Sequence, residues 1–399
     1  MNTHLTRLFN IAQKETRTIV GLMSGTSLDG LDVALCRITG SGGRTQVDLT
    51  HFETVDYTPE IKANIRQVFA KNTVDFQFLT VLNPWLGTLH GQMVLDCLNR
   101  WEVPAATVDV IASHGQTVLH APKSLHGRAG FPNATLQLGD GDHVAVTTGI
   151  ITLSDFRQKH LAAGGEGAPL AVYGDYFIFS KLGENRLMLN LGGIANFTYL
   201  PGTLDASAVF TTDTGPGNTL LDAFTRHFFP ALSFDRDGAL ARAGTVSEPL
   251  LQALKSDPFF SQPFPKTTGP ELFNVASVQR AQVATATEAL RPEDLLATLV
   301  RFSAETIAGA LRWAMQPDTP YRVYLSGGGA HNPALTDALG ALLPGVTFGR
   351  TDELGIAGDA KEAVLFAILA NEALVGGTTD FGGRAGVPSV TMGKISLPG

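Results

Sequence analysis

The feature that most constrains this chain is a strand–turn–strand unit that occurs twice. Residues 19–35 read Ile-Val-Gly-Leu-Met-Ser-Gly-Thr-Ser-Leu-Asp-Gly-Leu-Asp-Val-Ala-Leu, and residues 186–200 read Arg-Leu-Met-Leu-Asn-Leu-Gly-Gly-Ile-Ala-Asn-Phe-Thr-Tyr-Leu. Each is an apolar run, a glycine-containing turn and a second apolar run, the pattern of two strands joined by a tight turn. The first turn holds Gly25, Thr26, Ser27, Leu28, Asp29 and Gly30, and leads into Leu31 and Asp32. Glycine admits positive φ and lets an anion come close to the backbone, and successive amides in such a turn form an anion nest. Asp29 is a candidate metal ligand, directly or through water. The competing reading is an ordinary hairpin whose Gly and Asp serve turn geometry alone.

Composition sets the frame for both copies. With 399 residues, two domains are expected. A hydrophobic content of 44% with 17% charged residues describes a soluble globular protein with a large core. A net charge of −8 with no Lys/Arg-rich block argues against a nucleic-acid partner, while a small polyanion held by amides and a metal stays open. Two cysteines, Cys36 and Cys97, make neither a disulfide framework nor a metal cluster and suit a reducing compartment. Residues 1–17 are polar and mixed in charge, without the apolar centre of a signal peptide. The apolar runs are too short to span a bilayer. A cytoplasmic protein without a membrane partner is the expectation.

Along the chain, four consecutive short strands up to Tyr57 predict a mainly antiparallel start to a sheet. Amphipathic helices follow, at 61–69 and at 76–101 with an interruption at Pro84. Residues 108–113 read as a buried strand, 135–139 as an edge strand, 140–148 as a helix and 150–153 as a strand. The domain crossover is expected at 154–169. The first domain is thus 1–153 completed by about 377–399, and the second is 154–376. In the second, strands at 186–200 and 208–212 precede a helix at 219–228. Residues 230–277 read as an irregular, surface-facing insertion. A helix at 291–315, a strand at 321–326 and helices at 333–342 and 359–374 complete it.

Four Gly-rich turns therefore stand at strand ends: 24–30, 192–196, 213–218 and 327–332. One such turn is weak evidence, but four in a duplicated plan predict a nucleotide in a cleft between two halves. The tips at Gly25–Asp32 and at Gly192 and Gly193 would approach the phosphates, and Gly327, Gly328, Gly329 and Asn332 at a helix start would admit the adenosine. No Walker-type loop occurs.

Asp213 is the strongest catalytic candidate, because it follows a strand and precedes Gly215, Pro216 and Gly217, which leave its carboxylate open to a ligand. Its structural alternative is a helix N-cap. Glu362 stands near a helix start, where a solvated first-turn glutamate is the stronger reading from residues alone. Ser113-His114-Gly115-Gln116-Thr117 at a strand end offers hydrogen bonds to a polyol, and a satisfied buried His114 is an equal alternative. Asp155 and Arg157 read either as an ion pair or as a substrate contact. No zinc spacing and no G-x-S-x-G is present.

These motifs resemble those of the anhydro-N-acetylmuramic acid kinases, a family of the actin/sugar kinase/Hsp70 superfamily. The matching stretches are Gly21–Gly30, Ser113–Thr117, Asp155–Arg157, Gly164–Pro169, Asn190–Gly193, Asp213–Asn218, Phe234–Gly238, Lys266–Gly269 and Gly327–Asn332. They run in order over almost the whole chain. The resemblance implies an α/β protein of two actin-like (ribonuclease H-like) domains flanking a nucleotide cleft. It implies ATP and Mg2+ as cofactors and 1,6-anhydro-N-acetylmuramic acid as substrate, with N-acetylmuramic acid 6-phosphate as product, in peptidoglycan recycling. In those terms Asp213 is the base that activates water and Glu362 an acid beside the sugar. His114, Gln116, Thr117, Asp155, Gly215 and Asn218 are its sugar-facing residues, and a homodimer is expected. Two departures stand out: residues 1–17 lie upstream of the shared start, and Glu166 stands where Gln is familiar. The alternatives are a kinase for a simpler anhydrosugar such as levoglucosan, a non-catalytic nucleotide sensor and an actin-like assembly protein.

Overall fold

The computed structural model describes residues 2–399 except Pro169, Pro270, Ala357 and Ala385, so the last residue of the Gly164–Pro169 motif lies outside the described residues. The chain divides into two compact units, Met1–Ser180 with Asp205–Ala208 and Gly355–Gly399, and Lys181–Leu204 with Val209–Leu354.

The first unit is built on strands β1 (Thr16–Ser24), β2 (Gly30–Thr39), β3 (Gln46–Asp56), β4 (Val110–Ala121), β5 (Ala134–Leu138) and β6 (Thr152–Ser154). The start of the sheet is antiparallel as expected, but it holds three strands up to Asp56 rather than four. β4 then pairs in parallel with β1, and β6 in parallel with β4. The C-terminal strand Lys394–Ser396 pairs antiparallel with β6 at the edge of this sheet. One face of the sheet packs Val20, Leu22 and Ile111 with Leu86, Val94 and Leu98 of the helix Phe76–Arg100. That helix starts at Asp75, whose carboxylate accepts the Phe78 amide.

The other face receives the helix Lys361–Asn371, whose residues 363–371 are all buried. It lies so close to β1 that a Cβ on Gly21 would stand 2.0 Å from the Ala363 carbonyl oxygen. The unit boundaries therefore fall at Ser180 and Leu354 rather than at 153/154 and 376. Burial of an all-round apolar helix, not chain order, decides where Glu362 belongs. The helix Ala171–Phe179 packs beside it and belongs to the same unit. Residues 1–17 supply a helix, Thr3–Ala12, tied down by Arg7 to the carbonyls of Val108 and Gly149 and followed by a Lys14–Asp109 ion pair of 2.5 Å.

The second unit repeats the plan with β7 (Asn185–Leu191), β8 (Ile194–Leu200), β9 (Phe210–Pro216), β10 (Tyr321–Ser326) and β11 (Thr347–Arg350). β7, β8 and β9 form an antiparallel meander, and β10 and β11 add in parallel. The second sheet runs β9-β8-β7-β10-β11 and the first β3-β2-β1-β4-β6, with the C-terminal strand beyond β6 and β5 paired to β4 off this path; with β5 set aside, both follow the ribonuclease H-like 3-2-1-4-5 order. Leu299, Phe302 and Ile307 of the helix Pro292–Ala314 join Leu187, Leu189 and Phe197 in the core. The insertion at 230–277 is more ordered than expected. Its helix Glu248–Lys255 buries Leu250, Leu251 and Leu254 in the same core.

Candidate functional site

In the first unit, the turn after β1 exposes Thr26, Ser27 and Asp29 while Leu28 is buried in left-handed backbone at φ 57°. Among the described residues no protein acceptor takes the amides of Thr26, Ser27 or Leu28. Asp29 accepts from Ser27 Oγ at 2.6 Å and from the Gly30 amide at 3.0 Å. These bonds hold its carboxyl below the ordinary aspartate range, so it is ionised at neutral pH. Asp32, half-buried and bonded by Thr54 Oγ1 at 2.6 Å, is pushed the other way by lost hydration.

Beneath the turn lies a buried chain of hydrogen bonds. Gln116 Nε2 donates to the carbonyls of Gly25 at 2.7 Å and Thr117 at 3.0 Å, which fixes the orientation of its amide. Its Oε1 then accepts from Ser24 Oγ at 2.6 Å. The Ser24 hydroxyl is 2.8 Å from Tyr57 Oη, and Tyr57 Oη is 2.8 Å from His90 Nε2. A single proton direction satisfies all of these: His90 donates to Tyr57, Tyr57 to Ser24 and Ser24 to Gln116. Burial lowers the His90 imidazole to about 4, so it is neutral and one nitrogen carries the hydrogen. Both Nε2 hydrogens and one acceptor site of Gln116 are thus engaged within the protein, and its side chain supports the 24–30 turn from below.

His114, two residues earlier, does something different. Its ring packs on Phe366 at 4.5 Å, and its Nε2 accepts from Arg157 Nε at 2.7 Å. Strict alternation would put His114 and Gln116 on one face of β4. Gly115, at φ 77°, breaks the alternation and swings Gln116 toward Ser24. Arg157 also donates to the Gly167 carbonyl at 2.6 Å, and its charge opposes the upward shift that lost hydration gives the Glu362 carboxyl. Glu362 keeps solvent contact at the start of its helix. His114 and Asp155 line one cavity of about 330 Å³ with Asn83, Gln137, Asp140 and Lys394. There Asp155, at φ 56°, is ion-paired with Lys394. Thr117 Oγ1 accepts from Gln137 Nε2 at 3.3 Å.

In the second unit three of the Gly-rich turns converge. The amides of Gly217 and Asn218 donate to the carbonyls of Gly193 and Gly192, both at 2.8 Å, and Asn218 Nδ2 donates to the Leu191 carbonyl at 2.9 Å. Asn218, Gly328 and Asn332 share a cavity of about 480 Å³ with Asp222, Phe234, Arg236, Asp237 and His331. Asn218 therefore stands with the 327–332 turn. Phe234, Arg236 and Asp237 are lining residues that the sequence reading assigns to no ligand. Their visible signal was the Asp-Arg-Asp-Gly turn, whose Asp235 carboxylate accepts the amides of Leu240 and Ala241.

Asp213 lies in β9, where Oδ2 accepts the Thr268 amide at 2.8 Å and the Asp213 amide donates to the Lys266 carbonyl at 2.9 Å. No donor takes the other oxygen among the described residues. Asp213 is not a helix N-cap; the next helix, Thr219–Phe228, is preceded by Asn218. Lost hydration raises its carboxyl, with the Thr268 amide opposing. An anchored, partly dehydrated carboxylate with one open oxygen is suited to accepting a proton.

Two units of one ribonuclease H-like topology, with amide-lined turns at their strand ends, place the chain among the actin-like phosphotransferases, and it is a carbohydrate kinase of that class. More narrowly, it belongs to the anhydro-N-acetylmuramic acid kinase family, whose model matches residues 17–391. It is 57% identical over 400 residues to the anhydro-N-acetylmuramic acid kinase of Pseudoalteromonas atlantica, covering 100% of both chains. It is 36% identical over 394 residues to that of Caldanaerobacter subterraneus, covering 98% of this chain and 100% of the relative. Residues 1–16 fall outside the family model but inside the Pseudoalteromonas match.

Proposed function

We propose that this protein uses ATP to convert 1,6-anhydro-N-acetylmuramic acid into N-acetylmuramic acid 6-phosphate, a step of peptidoglycan recycling. The observation that carries the reading is Asp213, held by the Thr268 amide through one oxygen and open at the other. In the proposed reaction Asp213 takes a proton from water while the water oxygen bonds to C1. The C1–O6 bond breaks and its electron pair passes to O6. O6 then bonds to the γ-phosphorus as the bond to the bridging oxygen breaks, and ADP leaves. The raised Asp213 carboxyl favours this role, since a base works best when its pKa approaches the working pH.

The open amides at 26–28 and the tip at Gly192 and Gly193 are proposed for the phosphates, where positioning and charge stabilisation are most of catalysis. The cavity of Asn218, Phe234, Arg236, Gly328 and Asn332 is proposed for the nucleoside. His114, Thr117, Asp155 and Gly215 are proposed for the sugar, and Glu362 for assistance beside it. No group of three His, Cys, Asp or Glu side chains forms a metal cage among the described residues. The ionised Asp29 fits Mg2+ that comes with the nucleotide and keeps most of its waters. Mg2+, when bound, would neutralise phosphate charge. A homodimer and a cytoplasmic setting complete the reading; no described helix is long and apolar enough to cross a membrane.

The test is turnover with ATP, Mg2+ and either the muramic anhydrosugar or levoglucosan, following ADP and the 6-phosphate. Product from the muramic sugar is expected. Turnover of levoglucosan alone would overturn the substrate.

A further inference from the structure

Lys266 carries a charge in a place that has no electrostatic need of one. The residue is 8% exposed, and it takes part in none of the ion pairs among the described residues. Its ammonium instead donates to the Phe259 carbonyl at 2.9 Å and the Phe260 carbonyl at 3.4 Å. It also stands 4.4 Å from the Phe259 ring centre, 4.3 Å from that of Phe264 and 5.9 Å from that of Phe260. Ring faces and carbonyls compensate a buried cation only in part. A methionine of similar length would fill this apolar cage with no charge to dehydrate.

The backbone of the same residue flanks the proposed base. The Lys266 carbonyl accepts the Asp213 amide at 2.9 Å, and the Lys266 amide donates to Thr212 Oγ1 at 2.9 Å. Two residues on, the Thr268 amide holds Asp213 Oδ2 at 2.8 Å. The cage wall also reaches the other side of the base: a Cβ on Gly215 would lie 3.0 Å from Phe260 Cε1. The ammonium therefore ties the Phe259–Phe260 turn to the segment that grips Asp213.

The geometry points to Lys266 as the positioning residue of Asp213: its caged ammonium fixes the 266–268 segment so that the Thr268 amide holds one carboxylate oxygen and leaves the other for the reacting water. The inference rests on the reading of Asp213 as the base. Lys266 touches no reacting atom, and its effect is exerted through the segment.

The test compares wild type, Lys266→Met and Lys266→Arg in kcat, KM for both substrates, pH profile and thermal unfolding. Lys266→Met is expected to fold and to keep KM for ATP within about twofold, while kcat falls about 100-fold, the scale of a misplaced catalytic group. Its acidic limb should move to higher pH, because Asp213 loses the amide that favours its ionised form. Lys266→Arg, which keeps the cation, should recover part of kcat and restore the limb. Wild-type kcat and profile in a folded Lys266→Met would overturn the inference, as would a loss of kcat with no movement of the limb. If Lys266→Met does not fold, Phe264→Leu, which removes one ring of the cage, takes its place. The same limb shift is expected there, and an unchanged profile overturns the inference. An active Asp213→Asn would instead remove the base reading itself, whatever Lys266 does.

Discussion

Replacing Gln116 by leucine separates two roles that predict different kinetics. The side chain makes three hydrogen bonds, at 2.6, 2.7 and 3.0 Å, to Ser24 and to the carbonyls of Gly25 and Thr117. Leucine fills much of the volume and makes none of them. Each buried polar group left without a partner costs about 1–3 kcal/mol. The Ser24 hydroxyl can still donate to the Gly30 carbonyl at 3.1 Å, so the two carbonyls dominate the loss. A total of about 3 kcal/mol corresponds to a fall in Tm of about 6–12 °C for a unit of this size. Because Gly25 opens the turn with the free amides, the damage should appear in nucleotide binding. KM for ATP should rise about tenfold if about 1.4 kcal/mol of the loss reaches the bound state. KM for the sugar should stay within about twofold, as uniform binding to the sugar is untouched. Differential scanning calorimetry and steady-state kinetics with each substrate varied would read all three. A rise confined to the sugar KM, with Tm and ATP KM unchanged, would refute the reasoning and return Gln116 to the substrate.

Gly21→Ala should destabilise the first unit by about 1–3 kcal/mol, the usual cost of overpacking, because the new methyl meets the Ala363 carbonyl oxygen at 2.0 Å and the helix must move. Since that helix carries Glu362, kcat should fall more than the residual folded fraction explains; chemical denaturation paired with kinetics checks both. The acidic limb of kcat/KM should lie above the ordinary aspartate value of 3.8, because lost hydration raises Asp213 and the base acts ionised. The same shift means that Asp213 stabilises the fold relatively more below 3.8, and that this contribution fades as pH rises through its raised folded value. Asp213→Asn should therefore gain Tm relative to wild type at neutral pH, and the gain should vanish in acid; a pH series of melts decides it.

Much of the architecture was legible because its signals are local. Apolar runs on either side of Gly25–Gly30 and Gly192–Gly193 marked both hairpins, whereas the strand before Asp213, read as ending at 212, runs on through it to Pro216. What could not be read depended on contacts distant in sequence. The helix Lys361–Asn371 follows the second unit in the chain but buries its apolar sides in the first, against β1, and nothing in its own residues names that partner. The bond of Gln116 to Ser24 was not legible because one glycine, Gly115, cancels the two-residue period on which the reading of a strand rests. The Leu250, Leu251 and Leu254 helix was hidden among prolines and glycines that made the whole insertion look irregular.

The account stands most directly on Asp213→Asn, measured in one experiment with two readouts: ATP affinity by calorimetry and single-turnover opening of the anhydro ring. Asparagine keeps the shape and can keep the Thr268 bond while losing the ability to take a proton. The account predicts an ATP Kd within about twofold of wild type, and ring opening slowed by about 100- to 10,000-fold, the range of general-base catalysis. Ring opening at near the wild-type rate, with the variant folded and nucleotide bound, would contradict it.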